Sequence, residues 1–139
     1  MNHKQLALLS LSLLLALGAG CRSRNKPTKE GSWPEGVSPM TVHPKIDNRV
    51  RMASYDMERT EDGRLSIRVT IENGSRKDIT VIAYTDWMDK DGNVIERSND
   101  IPLVLPSGTT KLYRDSSWAA RAELFSVSVR PANTTRRTK

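Results

Sequence analysis

The chain has 139 residues, of which 37% are hydrophobic and 27% charged, with a net charge of +6 and one cysteine. Such a length favours one domain with one core, and a lone cysteine excludes an intramolecular disulfide framework. The basic excess does not describe the domain itself: residues 46–135 carry 13 Lys and Arg against 14 Asp and Glu, so their net charge is −1. A nucleic-acid binder concentrates basic charge on its folded face, which excludes that class here. The surplus lies on Arg22, Arg24, Lys26, Lys29 and Lys45 before the domain and on Arg136, Arg137 and Lys139 after it. Basic flanks of this kind suit an anionic membrane surface.

The chain opens as an export signal. Lys4 lies in a short polar start, and Leu6–Leu17 reads LALLSLSLLLAL. As a helix this run spans roughly 18 Å, too short for about 30 Å of bilayer hydrocarbon but right for the apolar region of a signal peptide. Gly18, Ala19 and Gly20 then precede Cys21. Small residues before a cysteine resemble the lipobox, at which a lipoprotein signal peptidase cuts after the thiol has received a diacylglycerol. The match departs from the usual pattern, since Gly18 stands where Leu is commonest and Leu17 lies one place further back. Ala16-Leu17-Gly18 also satisfies the small-x-small rule of a plain secretory site. Cys21 has no disulfide partner, and a lone free thiol is a liability in an exported protein; residues 1–20 are therefore read as a lipoprotein signal and Cys21 as the lipidated residue. Two or three acyl chains suffice for stable anchoring. Arg22 follows the cysteine, and its resemblance to enterobacterial sorting rules, which retain Asp at the inner membrane, points to the periplasmic face of the outer membrane in a Gram-negative cell.

Residues 21–45 have the composition of a flexible basic tether, with Pro27, Pro34, Pro39 and Pro44, Gly31 and Gly36 among few apolar residues. Fully extended, that segment reaches about 80 Å; as a coil its ends lie roughly 27 Å apart. Trp33 is its aromatic exception. It could dock on the domain or dip into lipid headgroups, and the composition around it predicts neither as a stable state.

From Val50 onward the hydrophobic pattern has period two. Leu65, Ile67, Val69 and Ile71 alternate with Ser66, Arg68, Thr70 and Glu72, the signature of an antiparallel strand with one wet face. Val50–Arg59 precedes it through Thr60-Glu61-Asp62-Gly63, and Asp-Gly is a hairpin signal. Ile79–Met88 is apolar on both parities and predicts a central strand, with Trp87 on the inward parity of Ile79, Val81 and Ala83. Asp89–Asn93 is a turn into Val94–Arg97. Pro102 makes Ile101–Leu105 an edge strand or bulge. Pro106-Ser107-Gly108 turns into Thr109–Arg114, and Leu124–Arg130 closes the domain with Phe125, Val127 and Val129 on one face. Ser117–Glu123 is the single stretch that could form a helical turn. These elements predict an all-β fold, an immunoglobulin-like antiparallel β-sandwich of six to seven strands over residues 46–135, with a basic tail at 136–139.

Leu65–Asn73, the run Tyr84-Thr85-Asp86-Trp87-Met88-Asp89-Lys90-Asp91-Gly92, and Phe125–Arg130 before Pro131 together resemble the YcfL-like family, over about Val50 to Ala132. The resemblance implies a small bacterial lipoprotein with an immunoglobulin-like sandwich and no characterised function. It also implies an envelope role, since some members are encoded beside an outer-membrane lipoprotein that activates a peptidoglycan synthase. Trp118–Ala122 departs from the family, which favours proline there.

The chemistry-bearing residues narrow the function further. His3 and His43 are the two histidines, one in the signal and one in the tether, so Ser-His and Cys-His nucleophile systems lack their base within the domain. Zinc sites built from Cys and His fail on the same count, and no glycine-rich phosphate loop occurs. Asp86, Asp89, Asp91 and Asn93 suggest calcium, yet an EF-hand loop would require an acidic ligand at Trp87 and Glu at Ser98. The expectation is no enzyme activity, no metal and no cofactor apart from lipid on Cys21. Tyr113, Arg114, Trp118 and Arg121 are the candidate interaction residues, being aromatics expected at the surface near cations; the alternative for Trp118 is that it closes one end of the sandwich. The expected partners are a membrane, through the anchor, and another envelope protein. A secreted soluble binding module and a carboxylate-dependent hydrolase of cell-wall glycan stand as alternatives, the latter needing two acidic residues in one cleft.

Overall fold

A computed structural model describes residues 33–133. Eight strands occur there: β1 (Met40–Val42), β2 (Val50–Arg59), β3 (Leu65–Asn73), β4 (Ile79–Met88), β5 (Val94–Arg97), β6 (Ile101–Leu105), β7 (Thr110–Ser116) and β8 (Leu124–Pro131). They form two facing sheets. One runs β1-β8-β4, with β6 and β5 sharing the far edge of β4; the other runs β2-β3-β7. The architecture is the all-β sandwich that the alternation predicts.

The apolar parity of each strand supplies the core, because successive side chains point to opposite faces. Ile67, Val69 and Ile71 from β3 meet Val81, Ala83 and Trp87 from β4 and Phe125, Val127 and Val129 from β8, all at most 2% exposed. β4 is central, as its two-sided apolarity requires, with β8 along Val81–Met88 on one side. On the other side β6 covers Ile79–Ala83 and β5 covers Asp86–Met88. Pro102 stands on β6 opposite Ile82 in an edge strand, where a missing N–H costs no ladder bond. The β2–β3 and β4–β5 hairpins turn at Gly63 (φ 80°) and Gly92 (φ 84°), where a left-handed backbone favours glycine.

Ordered structure extends before the predicted domain boundary. Within the segment read as tether, residues 33–45 pack on the sandwich. β1 pairs in parallel with β8, Met40 opposite Val127 and Val42 opposite Val129. Trp33 is docked, with its ring 5.2 Å from Phe125 and 6.3 Å from Tyr55, both edge-on. Apolar contact with an aromatic recess outweighs the chain entropy that the proline-rich composition suggested would keep the segment free. Pro34 and Val37 lie against the β4–β5 turn, where a Cβ on Gly92 would come within 3.0 Å of Val37 Cγ2. β1 raises the strand count to eight, beyond the six or seven expected. Signal residues 1–20, Cys21 and the tail at 136–139 lie outside the described residues.

Ser117–Glu123 forms no helix. It is a turn held by Ala122 N–H donating to the Ala119 carbonyl at 3.0 Å, and by Arg59 donating to the carbonyls of Ala120 and Ala122. This loop projects from the same end of the sandwich at which Trp33 docks, since it leads directly into Leu124 and Phe125 of β8.

Candidate functional site

Between the β5–β6 edge of one sheet and the β7 edge of the other lies an open groove of about 630 Å³. Ile95, Arg97, Asn99 and Ile101 line one wall, Asp115 and Ser116 the other, and Trp118 stands at its rim. Two short strands, β5 and β6, leave this flank only partly covered. The sandwich therefore stays open here, whereas β1 and the docked Trp33 cover the opposite flank.

Trp118 is 81% exposed, so it does not close the end of the sandwich. It is nevertheless held in place. Both Glu96 carboxylate oxygens accept the Trp118 N–H, at 2.9 and 3.0 Å, and Oε2 also accepts Ala119 N–H at 2.8 Å. The Arg64 guanidinium lies 5.3 Å from the centre of the indole, a cation–π contact. Charge-assisted bonds thus fix the loop backbone, and a cation lies beside an indole that makes little core contact.

The groove's charges are satisfied within the fold. Arg97 forks onto Asp86 through Nε and Nη2, the latter bond measuring 2.9 Å, and lies 4.8 Å from the Tyr84 ring centre. The Asp86 contact raises the Arg97 pKa further. Asp115 Oδ2 accepts the Tyr113 hydroxyl at 3.0 Å and Oδ1 accepts Ser116 N–H at 2.8 Å. Behind it the Tyr113 oxygen meets Thr85 Oγ1 at 2.9 Å, and Ser98 Oγ accepts Thr85 N–H at 2.8 Å. Burial pushes the Tyr113 phenol up to about 12.

The four residues proposed as one interaction surface separate. Tyr113, expected at the surface, is 2% exposed and belongs to the core, where its ring fills space between the sheets and its hydroxyl joins them. Arg114 points to the outer face of the second sheet, opposite Arg68, and lines a separate shallow depression of about 340 Å³. Arg121 is exposed on the loop and contributes to holding the Asp89 carboxyl below its ordinary range, after the larger effects of hydrogen bonds from Asn93 and Asp91. Trp118 alone flanks the groove. Glu96 and Arg64, which fix it, carry no sequence signal: each is a charged residue in or beside a strand, and the contact joins positions far apart in the chain.

Asp89, the first residue of the turn considered for calcium, accepts the backbone N–H groups of Asp91 and Asn93, each at 3.0 Å. Its side chain thus closes the hairpin. Among the described residues no three His, Cys, Asp or Glu side chains converge on a point, and no helix is long and apolar enough to cross a membrane.

A two-sheet sandwich of this size is an architecture found in small bacterial proteins. Two solved structures share it. The crystal structure of Campylobacter jejuni cj0090 has a TM-score of 0.56 and 21% identity, over 67% of this chain and 97% of that one. That of a DUF1425 family member from Shewanella sp. pv-4 has a TM-score of 0.53 and 25% identity, over 62% of this chain and 81% of that one. No family model and no curated protein matches the sequence.

Proposed function

We propose that the protein is a non-catalytic accessory lipoprotein of the cell envelope, related to the YcfL-like family and anchored through acylated Cys21, whose groove docks another envelope protein. The supporting observation is Trp118: a residue 81% exposed on the rim of the groove, its backbone held by Glu96 and its ring beside the Arg64 guanidinium. Tryptophan and arginine are enriched at interface hot spots, and the indole buries much area at little cost in side-chain freedom. A loop backbone already held in place loses less entropy on binding.

The two groove carboxylates, Glu96 and Asp115, favour a structural role over glycan hydrolysis. All four of their oxygens accept hydrogen bonds from the fold. Glu96 thereby positions the loop backbone, and Asp115 the Tyr113 hydroxyl and the Ser116 N–H.

Two measurements test the reading. A photo-crosslinking amino acid at position 118, introduced into the full chain in intact cells, is expected to capture one discrete envelope protein. Capture no greater than from position 104 would refute the docking surface. Metabolic acyl labelling is expected for the natural chain and not for Cys21→Ser; equal labelling would refute the anchor and leave the secreted binding module in its place.

A further inference from the structure

We infer that the β7 edge pairs with β7 of a second copy, joining the two β2-β3-β7 sheets into one of six strands. An unpaired strand edge is a template for another strand, and folded proteins blunt such edges. Three edges here are blunted: β1 is three residues long, β6 carries Pro102, and β2 is interrupted by a bulge between Met52 and Ser54. β5, on the same flank as β6, has four residues. β7 differs. Its seven residues contain no Pro or Gly and pair with β3 in unbroken register from Ser116 to Thr110, and no strand among the described residues pairs with its other side.

The hydrogen-bond alternation determines which groups β7 presents. Ser117 N–H donates to the Leu65 carbonyl and Asn73 N–H to the Thr109 carbonyl, so the odd-numbered residues of β7 face β3. Thr110, Leu112, Arg114 and Ser116 therefore turn their backbone groups outward. Ser116 N–H is already committed to Asp115 Oδ1 at 2.8 Å. Three residues remain available, and Leu112 in their middle is 44% exposed.

One register of self-pairing uses all three available residues without like charges directly opposite. Antiparallel pairing centred on Lys111 or on Arg114 would set like charges directly opposite each other, which is destabilising. Pairing centred on Tyr113 sets Lys111 opposite Asp115 but keeps only the two Leu112–Arg114 pairs, because its third pair needs the committed Ser116 N–H. Pairing centred on Leu112 places Leu112 opposite its copy and Thr110 opposite Arg114, and sets Lys111 opposite Tyr113, diagonal to both Asp115 and Lys111 of the copy, with no like charges directly opposite. It uses the three available residues and buries the exposed leucine against itself. The charges on β7 then discourage the pairings centred on Lys111 and Arg114 while permitting this one. The inference does not depend on the anchor or on the groove.

The test uses the full chain carrying Cys21→Ser. Directly opposite residues of a hydrogen-bonded antiparallel pair lie about 5.5 Å apart, within disulfide range. Leu112→Cys is expected to oxidise to a covalent dimer, and Val104→Cys, exposed on β6, is not. Light scattering is expected to give twice the chain mass for the unmodified edge and the single chain mass for Leu112→Pro, which removes an outward N–H. A monomeric natural edge throughout a dilution series, or equal oxidation at positions 104 and 112, would overturn the proposal. So would capture at position 112, in cells, of a different protein in place of a second copy.

Discussion

The hydroxyls of Tyr113 and Thr85 meet at 2.9 Å across the interior of the sandwich, joining β7 of one sheet to β4 of the other. Both side chains are at most 2% exposed. Tyr113 also donates to Asp115 at 3.0 Å, so Thr85 supplies the proton of the inter-sheet bond. Tyr113→Phe removes the bond and leaves Thr85 Oγ1 buried without that partner. The expected cost is about 1–3 kcal/mol, read as a lower urea midpoint at unchanged slope.

The same phenol makes stability depend on alkaline pH. Burial raises its pKa from the ordinary 10 to about 12 in the fold, so the folded state favours the neutral form. That contribution is fully present below pH 10 and is lost as pH rises through 12. The natural chain is expected to lose stability relative to Tyr113→Phe across this window, and parallel urea midpoints of the two chains between pH 9 and 12 would contradict it.

Asn73 organises the far end of the sandwich. Fully buried, it donates through Nδ2 to the carbonyls of Lys77, Leu105 and Pro106 and accepts Ser75 N–H and Oγ–H on Oδ1. One side chain thus joins the β3–β4 turn to the end of β6. Asn73→Ala strips those carbonyls of their donor, and we expect a loss of about 2–4 kcal/mol in urea unfolding.

Trp33→Ala removes two edge-on aromatic contacts, to Tyr55 and Phe125. A loss of about 1–3 kcal/mol is expected. Its effect is local: amides of β1 should exchange hydrogen faster, while those of β3 and β4 keep their protection. Uniform acceleration across all strands would show that Trp33 supports the whole core instead.

Trp118→Ala is expected to leave the unfolding midpoint within about 0.5 kcal/mol of the natural chain, because the indole is 81% exposed. Partner capture by affinity pull-down should nevertheless fall. A large loss of stability would assign the indole to the fold.

The strands were legible because each predicted run is at least four residues long and turns on Gly, Asp, Asn or Pro. Pro102 correctly marked an edge, and the parity of Trp87 correctly marked the core. β1 was not legible, for a physical reason: three residues are too few to show a period, and a parallel partner far along the chain leaves no hairpin signature. Tyr113 was misread because Lys111 and Asp115 share its parity on a strand whose other face is also mostly polar, so alternation could not identify an inward side. Trp118 was legible as a candidate, but its exposure depends on Glu96, whose contact with the loop arises only when β5 and β7 come together.

The parallel pairing of β1 with β8 also has a mechanical consequence. A pull directed along β1 would load its bonds to β8 together in shear and not peel them one after another. The Trp33 ring, lodged between Tyr55 and Phe125, meets that load first. The module is thereby fastened at the point where a leash would pull.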